Sequence, residues 1–171
     1  MVRLIIGKNA AGKTLYLENM IKRYELFEVN TNMRDKIYTY QIPYNKKRIE
    51  ILKECLETED ISENSLSLGI ANSTVYMIST ELLELLTLIC RDRNILILDE
   101  PLKKLSAYEY EVFIKVIAWV QDTYTDIYIV THNELALAIP GKQCYTVEMD
   151  QETNHVRLIE IAKENELEVI D

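Results

Sequence analysis

Three short runs of this chain are almost wholly apolar: Val2-Arg3-Leu4-Ile5-Ile6, Ile95-Leu96-Ile97-Leu98 and Ile127-Tyr128-Ile129-Val130. Runs of this length, rich in β-branched residues and closed by polar ones, read as strands covered on both faces. Between them the apolar residues return at helical spacing. Ile49, Leu52 and Leu56 share one face, as do Val112, Phe113, Val116, Ile117 and Val120. The leucine-rich stretch from Glu81 to Ile89 reads as a buried helix leading into the second strand. Ser106 and Glu109 have capping-box spacing and open the helix that carries Val112 to Val120. Two hairpins are also predicted, one near Leu26 to Tyr40 and one joining Cys144–Asp150 to Val156–Ile161 around Gln151-Glu152-Thr153-Asn154. Strands alternating with helices predict an α/β fold, with a mostly parallel sheet flanked by helices.

The residues that follow each apolar run carry the chemistry. After the first come Gly7-Lys8-Asn9-Ala10-Ala11-Gly12-Lys13-Thr14, which open a helix-period stretch. A strand, this eight-residue pattern and a helix make a Walker A phosphate loop. Its backbone amides and the helix N-terminus wrap phosphate oxygens, Lys13 reaches the β and γ groups, and the Thr14 hydroxyl serves Mg²⁺. Lys8 occupies a free position of the pattern, where a side chain faces solvent.

The second run ends in Asp99-Glu100-Pro101. Ligands in open α/β sheets gather at the carboxyl ends of strands. Asp99 is placed to hold Mg²⁺ as a Walker B aspartate does, and Glu100 is the candidate general base for an attacking water. The third run ends in Thr131-His132-Asn133-Glu134. Thr131 and Glu134 have capping-box spacing, which predicts a helix with His132 in its first turn.

With GKNAAGKT, ILILDEP and IVTHN in this order, the chain resembles the ATP-binding-cassette ATPase superfamily, including its soluble branch of Rad50, RecF and SMC-type proteins. The resemblance implies a P-loop NTPase fold that binds ATP with Mg²⁺. It also implies a catalytic glutamate at Glu100 and a γ-phosphate-sensing histidine at His132. The family places a metal-contacting glutamine at the end of a strand between the two Walker motifs, and Gln41, after Lys36-Ile37-Tyr38-Thr39-Tyr40, matches it.

Departures from the family pattern are equally informative. Ala10 stands where the family commonly has glycine, and alanine tolerates positive φ poorly. The family's Leu-Ser-Gly-Gly-Gln signature is not intact: Leu66-Ser67-Leu68-Gly69 lies far upstream of Asp99, and Ser79-Thr80-Glu81 lacks glycine. Ser106 replaces the usual aspartate of the loop after Walker B. Only six residues precede Gly7, so the aromatic residue on which transporter cassettes stack adenine has no counterpart here. The interval from Lys13 to Asp99 is shorter than in full cassettes, which implies a reduced helical subdomain.

Composition sharpens this picture. The 171 residues, 48% hydrophobic and 27% charged, fit one compact domain spanning 1–171 with no linker or low-complexity stretch. A formal net charge of −9 disfavours a broad nucleic-acid face. The short basic runs Lys46-Lys47-Arg48, Arg91-Asp92-Arg93 and Lys103-Lys104 read as solvated helix ends. Nucleic acid is then reached only through a partner protein or one such small patch. Cys55, Cys90 and Cys144 are odd in number and scattered, which fits a reducing cytoplasm. The chain opens without a signal-peptide pattern, and no apolar run is long enough for direct membrane insertion.

The favoured function is a Mg²⁺-dependent ATPase whose nucleotide cycle drives association with a second copy or another protein. A small P-loop kinase is the alternative, disfavoured because no arginine lies between Arg93 and Arg157 to serve a phosphate-covering lid. A nucleotide-gated binding module with negligible turnover is a third reading, encouraged by the degenerate signature.

Overall fold

The structure is a computed structural model that describes residues 1–7, 12–24, 29–33, 42–68, 77–150, 152–153 and 155–161. Its elements in chain order are β1 (Val2–Ile6), α1 (Lys13–Tyr24), β2 (Val29–Thr31), α2 (Lys46–Leu56), α3 (Glu63–Leu68) and α4 (Thr80–Ile89), then β3 (Ile95–Asp99), α5 (Ala107–Val120), β4 (Asp126–Thr131), β5 (Lys142–Asp150) and β6 (His155–Glu160). Short 3₁₀ turns at Gln121–Thr123 and Glu134–Ala138 flank β4.

The six strands form one sheet in the order β2-β3-β4-β1-β5-β6. Every neighbouring pair is parallel except β5 and β6, which make the antiparallel hairpin expected near the C-terminus. Side chains of the central strands alternate between two cores, as a sheet covered on both faces requires. Leu4, Leu96, Leu98, Ile127 and Ile129 pack with leucines of α4 and with Val112, Phe113, Val116 and Ile117 of α5. Ile5, Ile95, Ile97, Tyr128 and Val130 face Leu17, Met20 and Ile21 of α1. Ile49 and Leu52 of α2 join the first core, with Leu56 packed against it, on the face their spacing predicted.

The registers pair Ile6 with Thr131 and Asp99 with Val130, so β1, β3 and β4 end at one edge of the sheet. Gly7, Glu100 and His132 follow directly at that edge. β4 lies between the other two, which brings His132 between the start of the phosphate loop and the paired carboxylates.

Three local expectations change. The described part of the Leu26–Tyr40 segment is β2, which pairs in parallel with β3; the second arm of that expected hairpin lies outside the described residues. Arg48 and Arg91, placed by sequence in solvated basic runs, are buried at 1% and 5% exposure. Arg48 stacks 3.5 Å from the Tyr124 ring centroid and donates to the hydroxyl and carbonyl of Thr123 at 2.9 and 2.8 Å. Arg91 lies 3.8 Å over Tyr44 and donates to the Ile42 carbonyl at 2.8 Å. Aromatic faces and carbonyls thus disperse both charges beneath the sheet. Finally, Thr131 does not cap a helix. The Asn133 side chain accepts from Leu135 N at 3.0 Å and starts the 3₁₀ turn, because the Thr131 hydroxyl is turned toward Glu100.

Candidate functional site

The site is built where β1, β3 and β4 end. Gly12 has φ +86°, a left-handed conformation that glycine adopts without Cβ strain. α1 begins at the next residue, with the Tyr16 amide donating to the Gly12 carbonyl at 3.0 Å. Lys13 is 6% exposed, and its Nζ donates to the Gly7 carbonyl, folding the ammonium back over the start of the loop. The same Nζ lies 4.0 Å from Glu100 Oε1. Thr14 is exposed on the first turn of α1. Lys8, Asn9, Ala10, Ala11 and Gln41 lie outside the described residues.

Asp99 closes β3. Its amide donates to Asn32 Oδ1 at 2.8 Å while Asn32 Nδ2 donates to its carbonyl at 2.9 Å. One side chain thereby continues the β2–β3 ladder by a step and fixes the main chain from which the carboxylate springs. Asp99 is half-buried. Burial, and then the charge of Glu100, push its pKa above the ordinary value, while Lys13 and Lys103 pull it down less strongly.

Glu100 has φ +46°, a left-handed conformation that is strained for a residue with a Cβ. Such a conformation is costly and persists where contacts over-determine it. Its amide donates to the Val130 carbonyl at 2.7 Å. Its Oε2 accepts from the Thr131 hydroxyl at 2.9 Å. Its Oε1 accepts from the His132 amide at 3.1 Å and lies 2.7 Å from His132 Nδ1. The carboxylate is therefore seated on the end of β4, and it is not a free loop acid.

Lys13, Asp99, Glu100 and His132, which the sequence singled out separately, meet at this one edge. Asn32 and Thr131 were missed in these roles. Asn32 follows a three-residue strand too short to announce itself, and the Thr131 hydroxyl had been assigned to a helix cap.

Ser79, one of the two candidate signature positions, caps α4: its hydroxyl accepts from Leu82 N at 3.1 Å. The same hydroxyl donates to Glu109 Oε2 at 2.5 Å, and the Ser79 amide donates there at 2.9 Å. Glu109 also closes the predicted capping box of α5, where its Oε1 accepts from Ser106 N at 3.1 Å. One buried carboxylate thus ties together the starts of α4 and α5. Of the other signature candidate, Leu66 is buried in the core, while Gly69 lies outside the described residues.

No family model matches the sequence, and no curated protein matches it. Solved structures do match the fold. A structure of the RNase-L inhibitor aligns with TM-score 0.60 at 14% identity over 99% of this chain and 36% of that one. The archaeal ABCE1 in a model of ribosome-bound Pelota and ABCE1 gives 0.60 at 16% identity, over 97% of this chain and 31% of that one. A putative metal-chelate type ABC transporter gives 0.53 at 11% identity, over 99% of this chain and 78% of that one. The chain spans about a third of the length of the first two proteins. Among the described residues no helix is long and apolar enough to cross a membrane. The six-stranded, mostly parallel sheet flanked by helices is the fold of the ATP-binding-cassette ATPases.

Proposed function

We propose that this chain binds a nucleoside triphosphate, ATP, together with Mg²⁺, hydrolyses it, and uses the cycle to gate association with a partner protein. The observation that carries the reading is the 4.0 Å approach of Lys13 Nζ to Glu100 Oε1. It brings a phosphate-binding ammonium and a seated carboxylate within one phosphoryl group of each other, at the edge where open α/β sheets hold ligands.

The roles follow from chemistry. Lys13 neutralises oxygens of the β and γ phosphates, with the loop from Gly7 to Thr14 around them. Glu100 accepts a proton from the water that attacks the γ-phosphorus; the phosphoryl bond to the β-phosphate oxygen breaks, and ADP and inorganic phosphate leave. His132 holds Glu100 Oε1 and stands beside the γ-phosphate position.

The donor set fits Mg²⁺. Among the described residues no hydrogen-bond donor reaches the Asp99 carboxylate, whose pKa is raised by burial and by the neighbouring Glu100 charge more than Lys13 and Lys103 lower it. Mg²⁺ favours one or two protein oxygens with phosphate and water completing its shell, which Asp99 and the Thr14 hydroxyl would supply. When bound, it would neutralise charge developing on the phosphate oxygens.

Association with a partner is supported by exposed apolar side chains beside the Ser79–Glu109 joint. Met77 is 85% and Tyr108 60% exposed, each within two residues of that joint. A single domain over 1–171 and a cytoplasmic location are part of the same proposal.

Equilibrium binding of labelled ATP to wild type and Lys13→Ala tests the reading. The variant should stay folded and lose ATP binding; undiminished affinity would overturn the phosphate-loop assignment. Phosphate release with and without candidate acceptors distinguishes a hydrolase from a kinase.

A further inference from the structure

The strand order sets the direction in which a nucleotide lies, and we propose that one apolar face of the β5–β6 hairpin, centred on Met149, is the platform for a purine base. The proposal rests on reading Gly7–Thr14 as a phosphate loop. β3 and β4, which bear Asp99, Glu100 and His132, stand on one side of β1, and β5 and β6 stand on the other. With Lys13 Nζ 4.0 Å from Glu100, the terminal phosphoryl group sits toward β4. The nucleoside, at the opposite end of the phosphate chain, is directed to the β5–β6 side.

That side is shaped for it. β5 pairs with β1 only from Lys142 to Tyr145. Its remaining residues run with β6 past the end of β1, where Val147 and Met149 flank Gly12. A Cβ added to Gly12 would lie 3.5 Å from Met149 Cβ, 3.6 Å from Val147 Cγ1 and 3.7 Å from Val156 Cγ1, so this hairpin is in contact with the loop's last glycine. Met149 pairs with Val156 and Val147 with Leu158, which puts the four side chains on one face. Met149, the outermost of them on β5, is 37% exposed at the rim of an otherwise charged site. A flexible, polarisable thioether is well suited to lie against a flat π system.

None of these four side chains carries a group that hydrogen-bonds strongly. The platform therefore grips a purine by contact area and cannot tell a 6-amino from a 6-oxo group, since discrimination needs paired polar groups.

Equilibrium binding of ATP, GTP and inorganic tripolyphosphate, each with Mg²⁺, to wild type, Met149→Ala, Met149→Trp and Lys13→Ala tests this. Wild type should bind ATP about tenfold more tightly than tripolyphosphate and hold ATP and GTP within about threefold of each other. Met149→Ala should weaken ATP about fivefold and leave tripolyphosphate unchanged, while Met149→Trp should tighten ATP alone. Equal affinity of wild type for ATP and tripolyphosphate, or Met149 variants that shift both ligands by one factor or neither at all, would overturn the platform while leaving the phosphate loop standing. If wild type binds neither ligand, or Lys13→Ala binds both as wild type does, the phosphate-loop reading fails and the platform falls with it.

Discussion

His132 Nδ1 lies 2.7 Å from Glu100 Oε1, and the His132 amide donates to that same oxygen at 3.1 Å. One residue of β4's end thus holds the candidate base through both ring and main chain. With the Thr131 hydroxyl on Oε2 at 2.9 Å, the carboxylate has a fixed plane, and most of its lone-pair directions are filled before a water arrives. Such seating is the preorganisation a general base needs.

Replacing Glu100 by Gln keeps the size and an accepting oxygen but removes the proton acceptor. Hydrolysis should fall by about 10²–10⁴-fold, the usual contribution of a positioned general base, with ATP binding retained. Single-turnover phosphate release alongside equilibrium ATP binding would measure both. Turnover at the wild-type rate would remove Glu100 from the role of base.

Thr131→Val should be milder and more diagnostic. Thr131 is fully buried, and its hydroxyl both donates to Glu100 Oε2 and accepts from Asn133 N at 3.0 Å. The near-isosteric valine removes the donor while filling the space. Turnover should fall by about tenfold, equivalent to roughly 1.4 kcal/mol in the barrier, with little change in the ATP dissociation constant. In the Glu100→Gln background the same substitution should cost almost nothing, because the two residues act through one carboxylate. Additive losses in the double variant would show that Thr131 does not work through Glu100.

The central strands and their end residues were legible because a parallel sheet writes itself as continuous apolar runs, and because Lys13, Asp99 and Glu100 follow those runs directly. The capping box of Ser106 and Glu109 was equally plain, being a contact across three residues. What the sequence concealed were contacts made across long separations by residues with an ordinary local use. Asn32 clamps Asp99 from a neighbouring strand, Arg48 and Arg91 bury their charge on tyrosines, and Thr131 reaches Glu100. For the two arginines and Thr131 local pattern favoured a solvated or capping role, and Asn32 lay unremarked in an expected hairpin; tertiary geometry offered each a long-range partner.

Asp99 is held at a cost. Its pKa in the folded protein lies above the ordinary value of 3.8 through burial and the Glu100 charge, so the folded state binds its proton more tightly than the unfolded chain does. Stability therefore rises as pH falls through that raised value and is lower once the carboxylate is charged. Asp99→Asn should raise the melting temperature of the nucleotide-free protein at neutral pH, and the gain should vanish in acid as wild-type Asp99 becomes protonated. The same variant should lose the stabilisation that Mg²⁺ with ATP gives wild type. Thermal unfolding with and without Mg²⁺ and ATP checks both; an unchanged response to the ligand pair would deny Asp99 a metal-holding role.

Glu109 shows the opposite sign. Burial alone would raise its pKa, but hydrogen bonds from the Ser79 hydroxyl and amide and from Ser106 outweigh that and hold it below the ordinary 4.5. Its contribution to stability is then present above that ordinary value and is lost as pH falls through the depressed one. Glu109→Ala leaves the amides of Ser79 and Ser106 without their acceptor at the starts of α4 and α5, at a residue only 7% exposed. The cost should be about 1–3 kcal/mol at neutral pH, lowering the melting temperature by about 2–4 °C for each kcal/mol. The difference between wild type and variant should shrink in acid, as wild-type Glu109 takes up its proton. Urea unfolding of both proteins across a pH series would follow it. A difference that stays constant into acid would mean that the loss comes from packing, and that the Ser79–Glu109–Ser106 joint is not held by charge.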